Sequence, residues 1–173
     1  MVASPVRDAE FTEYVTAKAL WLRKVAFLLC GDWHAADDLV QNAITKLYTK
    51  WHHASKAQNI DGYARTILVN TFLAEQRSPW TRWVVLRNAQ DQLAVREGDI
   101  DAALDLRVAL AALPSRQRAT VVLRYFCDLS VDETAQTMGC SSGNVKSQTA
   151  RGITTLRRLL QSSYAASPEE YKA

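Results

Sequence analysis

Ser142, Asn144, Lys146, Ser147, Gln148, Ala150 and Arg151 crowd into one short stretch of the chain, interleaved with apolar Val145, Ile153 and Leu156. Side chains of these types read nucleic acid. Lys and Arg neutralise phosphates or donate to guanine, and Asn and Gln match adenine. Ser suits either, and a small apolar group meets the thymine methyl. A second group, Asp37, Asp38, Gln41 and Asn42, forms a polar face opposite an apolar stripe and suits charge-complementary docking to a protein. A solvated helix face is the alternative for both groups. Asn70 is out of place in an apolar helical stretch, because asparagine competes with the backbone for hydrogen bonds.

Other chemistries lack their residues. There is no phosphate-binding glycine loop, nucleophile elbow or His-Glu-x2-His pair, so no catalytic residue is assigned. His34, His52 and His53 and the cysteines Cys30, Cys127 and Cys140 include no Cys-x2-Cys pair. No metal or cofactor is expected, and the thiols read as buried and free.

The reading stretch needs a scaffold, and residues 130–157 supply one. Ser130-Val131-Asp132-Glu133 is a capping box, in which serine and glutamate each satisfy the other's open backbone amide. Ala135 is small enough for two helices to cross closely, and Gly139 can take the positive φ of a tight turn. Ser141 caps the next helix, and Val145 anchors it inward. This Ala-x3-Gly-x5-Val spacing is that of a helix-turn-helix whose second helix lies in the major groove.

Apolar spacing predicts further helices over 11–29, 33–51 and 61–77, with Gly31-Asp32 ending the first and capping the second, and a loop over 52–59. After Ser78-Pro79 the pattern lapses through a linker at 79–100 that contains Trp80 and Trp83. Helices resume over 101–112, 114–127, 131–138 and 142–160. The expected fold is all-α: two small helical domains, 8–78 and 101–160, a flexible linker between them, and a disordered tail at 161–173.

In 173 residues only 6 are Gly and 4 Pro, too few turns for a sandwich or barrel. No run of about 18 apolar residues exists, and the first ten residues do not resemble a signal peptide, so a cytoplasmic protein with no membrane partner is expected. The net charge of +3 hides an asymmetry. Residues 106–160 hold eight basic and three acidic residues, net +5, whereas 1–80 hold nine and eight. A polyanion-binding half joined to a nearly neutral one follows from that split.

Longer strings carry a family resemblance. Leu113-Pro114-Ser115-Arg116-Gln117-Arg118, then Val121 to Phe126, then Leu129 to Ala135 running into Gly143-Asn144-Val145-Lys146-Ser147, resemble domain 4 of bacterial sigma factors. Ala35 to Gln41 resembles the acidic motif of sigma domain 2, and Tyr63 to Thr71 the segment that follows it. The match is to the extracytoplasmic-function (ECF) group of the sigma-70 class, which keeps only these two domains. Arg116-Gln117-Arg118-Ala119 and Val145-Lys146-Ser147-Gln148-Thr149 look most like the SigE-type factors of actinomycetes.

The resemblance implies roles. Asp37, Asp38, Gln41 and Asn42 would dock on the coiled coil of the largest subunit of core RNA polymerase. Asn59, Ile60, Asp61, Arg65 and Asn70 would read and melt the −10 promoter element. Ser142, Asn144, Lys146, Ser147, Ala150 and Arg151 would read the −35 element, with Arg116, Arg118 and Arg124 on phosphates or polymerase. The flap of the second-largest subunit and promoter DNA are implied partners, an anti-sigma factor is a candidate one, and no small-molecule substrate is implied. Arg65-Thr66 departs from the family, which commonly has an aromatic and then an arginine there. Two rivals stand beside this reading: a self-sufficient helix-turn-helix regulator, and an anti-sigma-like adaptor that never touches DNA.

Overall fold

A computed structural model describes residues 5–77 and 102–165, all of whose regular elements are helical. Helix α1 (Pro5–Cys30) buries Leu22, Val25, Ala26 and Leu29, the three- and four-residue spacing of one helix face. It begins six residues before the expected start. Gly31 ends it at φ +77°, a conformation that costs glycine little, and Asp32 caps the next helix by accepting from the Ala35 amide at 2.9 Å.

Helix α2 (Trp33–Thr49) buries Ala36, Leu39, Val40, Ala43 and Leu47. The expected loop at 52–59 is partly a short helix, α3 (Trp51–Ala54). Trp51 explains the difference: it is 3% exposed and lies edge-on to Phe11 at 5.2 Å, and this packing fixes a turn whose local residues are weak helix formers. Helix α4 (Ile60–Glu75) completes the N-terminal half, with Leu68 and Val69 fully buried and Phe72 nearly so.

The C-terminal half begins with α5 (Ala102–Ala111) and α6 (Ser115–Val121). The latter passes into one π-helical turn over Val122–Phe126, closed by the Cys127 amide donating to the Val122 carbonyl at 3.0 Å. The helix-turn-helix then forms as read. In α7 (Val131–Met138), the Ser130 hydroxyl accepts from the Glu133 amide at 3.1 Å, and the Glu133 carboxylate accepts from the Ser130 amide at 2.8 Å. Gly139 turns at φ +59°, and Ser141 accepts from the Asn144 amide at 3.2 Å to start α8 (Ser142–Ala165). That helix overruns the expected tail boundary by five residues. The linker at 79–100 and the tail from 166 onward lie outside the described residues.

Ser130→Ala should destabilise the fold by about 1 kcal/mol, the usual cost of a lost serine cap, read as a lower urea midpoint. Hydrogen bonds from Ser130 hold the Glu133 carboxyl below its usual pKa, so the folded state favours the carboxylate. This contribution is present above the unfolded value and is lost as pH falls through the lowered folded one. The gap between wild type and Ser130→Ala should therefore narrow in acid.

The two halves do not sit apart. Ala119, Val122, Leu123, Leu129 and Met138 from the C-terminal half belong to the same apolar cluster as Leu22, Leu29, Leu68 and Phe72. Helix α4 packs on α6 and α7, and α1 on α5 and α6. A smaller cluster of Leu110, Leu113, Val121 and Leu156 seats α8. Among the described residues no helix is long and apolar enough to cross a membrane.

Candidate nucleic-acid interface

Helix α8 is held from behind. Val145 is 0% exposed, and Gly152 lies so close to α6 that a Cβ there would stand 2.8 Å from Val121 Cγ2. With that face buried, the helical period turns Asn144, Lys146, Ser147, Ala150 and Arg151 outward, and all five are exposed. Ser142 is half-buried and donates to Asp132 Oδ1 at 2.6 Å, which ties the start of α8 to α7.

Two further side chains join this face that the sequence did not single out. Arg157 and the exposed Tyr125 line one groove of about 400 Å³ with Lys146 and Ala150. Arg157 follows Lys146 by 11 residues, three helical turns, and that spacing could have found it. Tyr125 had no such signal, since the π-turn sets its direction.

The second candidate group is only partly gathered. Asn59, Arg65 and Asn70 line one cleft of about 780 Å³, together with Lys46, Lys50, Thr66 and Thr71. Asn70 is exposed and has no side-chain hydrogen bond among the described residues. Asn59 also has a structural task, because its Oδ1 accepts from the Gly62 amide at 2.7 Å and caps α4. Ile60 and Asp61 do not line the cleft. Asp61 pairs with Lys18 at 2.7 Å and accepts from the Tyr14 hydroxyl at 3.1 Å. Burial first, then the Asp61 charge, pushes the Tyr14 hydroxyl pKa well up.

The acidic group divides likewise. Arg23 clasps Asp37 through two bonds, at 2.5 and 3.0 Å, and holds its carboxyl below the usual range. The same guanidinium lies 4.5 Å from the Trp33 ring, which stacks on Phe27 at 3.9 Å. Asn42 donates to Glu75 at 3.0 Å. Asp38 and Gln41 are exposed, with no side-chain partner among the described residues.

The arginines ahead of the helix-turn-helix are committed more deeply than expected. Arg118 is turned inward, donating to the carbonyls of Leu29 at 2.6 Å, Ala111 at 2.5 Å and Leu113 at 3.0 Å. Burial lowers its pKa. It therefore has no free face for a phosphate in this arrangement. Arg124 donates to the Leu129 carbonyl, and Arg116 is half-buried.

Comparisons with known proteins converge. Residues 15–82 match the family model for sigma-70 region 2, and residues 103–156 match the one for sigma-70 region 4. The chain is 34% identical over 160 residues to the RNA polymerase sigma-E factor of Streptomyces avermitilis, covering 88% of this chain and 86% of that protein. It is 32% identical to the sigma-E factor of Streptomyces coelicolor over 158 residues, 87% of this chain and 86% of that one. Among solved structures, the sigma factor RpoE of Bartonella quintana, crystallised with the anti-sigma factor NepR, superposes with a TM-score of 0.67 at 27% identity. That superposition covers 88% of this chain and 97% of that one.

Proposed function

From its membership of the sigma-70 family of RNA polymerase sigma factors, in the ECF group, we infer that this chain is a sigma subunit: it binds core RNA polymerase and directs it to promoters. The single observation that carries the division of labour is the exposed row Asn144, Lys146, Ser147, Ala150 and Arg151 on a capped, rigidly seated helix. That helix reads the −35 element in the major groove, with Lys146 and Arg151 on phosphates or guanine. Arg157 and Tyr125 extend the contact along the backbone.

The −10 element belongs to the cleft of α4. Melting requires bases to leave the stack and be held, and Asn70 offers a free amide for a base edge while Lys46, Lys50 and Arg65 supply phosphate charge. Asp61 and Ile60 act one step back: Asp61 fixes the start of α4 through Lys18 and Tyr14. Asp38 and Gln41 are the side chains left open for polymerase on α2, and Asp37 shapes that face through Arg23. Polymerase performs the bond-making step, and the chain works in the cytoplasm, where polymerase and promoter meet.

Asn70→Ala should lower the fraction of open promoter complexes by roughly tenfold, the worth of one lost base contact, while the variant still co-elutes with core polymerase. Permanganate reactivity of unpaired thymines reads the first quantity and gel filtration the second. Loss of both together would remove Asn70 from the −10 role. Lys146→Ala should reduce the salt slope of promoter binding by about one, measured by titration between low and physiological salt.

A further inference from the structure

The hydrogen bond between Ser142 and Asp132 fixes what the first residue of α8 can offer to DNA. A hydroxyl has one proton to donate and two lone pairs with which to accept, and a carboxylate only accepts. The Ser142 proton is therefore committed to Asp132 Oδ1, at the 2.6 Å of a charge-assisted O–H···O bond. No donor among the described residues bonds to Ser142 Oγ in return, so its lone pairs stay open. The hydroxyl that remains is an acceptor and nothing else.

Both partners are held in place by their neighbours. Asp132 lies in the first turn of α7, beside the Ser130 and Glu133 capping box. Ser142 opens α8, between the Ser141 cap and the fully buried Val145. Ten residues separate the pair in sequence, and the turn at Gly139 brings them together. Asp132 is exposed, and with Gln136 and Ser142 it lines a hollow of about 720 Å³ at the start of α8. Carboxylate and hydroxyl oxygen thus form one electron-rich corner there. Further along the same helix the exposed charged ends, Lys146 and Arg151, can only donate.

In the major groove each base shows either an exocyclic amine or a keto oxygen. Adenine N6 and cytosine N4 donate, whereas guanine O6 and thymine O4 accept. An acceptor-only corner bonds the amino bases and repels the keto ones, because two oxygens then face each other with no proton between them. The first residues of a groove-bound helix are the ones that reach base edges, while the preceding helix crosses the backbone.

We propose that Asp132 is a positioning residue for −35 specificity: by holding the Ser142 proton, it makes the start of α8 select adenine or cytosine at one position of the element and reject guanine and thymine there. This rests on the sigma reading of α8. Asp132 acts through Ser142 and touches no base itself. It contributes selectivity rather than affinity, since a carboxylate near DNA phosphates repels them.

The test uses holoenzyme assembled from core polymerase and the full chain. Its templates are a promoter recovered by run-off transcription and every single-base change across the −35 element of that promoter. Initial transcription rates at limiting holoenzyme are compared. With the wild-type chain, one position should accept adenine and cytosine equally and lose roughly fivefold or more with guanine or thymine, the lower end of one base contact. Asp132→Ala frees the Ser142 proton to donate. The guanine and thymine templates should then gain about fivefold, while the other positions keep their preferences. Ser142→Ala should flatten the same position, and adding Asp132→Ala to it should change that position no further. Asp132 is exposed and Ser142 half-buried, so both truncations should keep the fold, which unfolding midpoints check. A bond that merely fastens α7 to α8 predicts instead a uniform loss on every template in Asp132→Ala, and that result overturns the proposal. So does a wild-type element in which no position sorts amino from keto bases, or a preference that survives Ser142→Ala. Absence of promoter-dependent transcript with the wild-type chain would remove the sigma reading itself, and the proposal with it.

Discussion

Replacing Lys146 and Arg151 together by alanine is expected to reduce promoter-dependent transcript by on the order of a hundredfold, since each contact contributes roughly 1–3 kcal/mol. Both side chains are exposed and neither makes a hydrogen bond or ion pair to the rest of the described chain, so their truncation should leave the fold intact. Unfolding midpoints would confirm that, and a transcript loss can then be assigned to DNA contact. The effect should be the same on any template carrying the same −35 element and should vanish when that element is removed. An adaptor that never touches DNA predicts no change at all. A self-sufficient regulator predicts lost operator binding but no polymerase-dependent transcript to lose.

The second large effect concerns Gly152. In the middle of a helix, glycine to alanine ordinarily stabilises by close to 1 kcal/mol. Here the sign should reverse. The added Cβ would meet Val121 Cγ2 at 2.8 Å, and Val121 is a buried, branched side chain with little room to move. Overpacking of this kind costs about 1–3 kcal/mol. Gly152→Ala should therefore lower the melting temperature, and Gly152→Val should lower it further. Val121→Ala combined with Gly152→Ala should recover part of the loss, because the two sites share one contact. A melting temperature that rises in Gly152→Ala would show that α8 is not seated on α6 as described. The same variant should weaken −35 binding, since the seat sets the angle of the reading helix.

Gly152 and the capping box show what the sequence could and could not disclose. Ser130, Glu133, Gly139 and Ser141 act on neighbours three to five residues away, so their spacing alone announces the turn. The exposed row on α8 follows from the helical period once Val145 is taken as the anchor. Gly152 looks like a defect in that same helix until α6 is brought beside it. Asp61 and Asp37 read as free acidic groups because their partners, Lys18 and Arg23, are 43 and 14 residues away. Arg118 was the least legible. Its acceptors are backbone carbonyls, which leave no trace in residue type, and one of them lies 89 positions distant. The reading of two helical halves stands, but composition carries no signal that they would share an apolar cluster. Trp51 is a smaller case of the same kind, a helical turn set by a ring contact with Phe11 rather than by local propensity.

As a sigma subunit, this chain confers promoter recognition on RNA polymerase. Run-off transcription with core polymerase, with and without the purified chain, tests it directly on fragmented genomic DNA. Discrete transcripts should appear only when the chain is present, with start sites preceded by a shared pair of elements, and the Lys146→Ala, Arg151→Ala double variant should abolish them. The same transcripts from core polymerase alone, or none when the chain demonstrably binds it, would mean that the chain is not the promoter-recognition subunit.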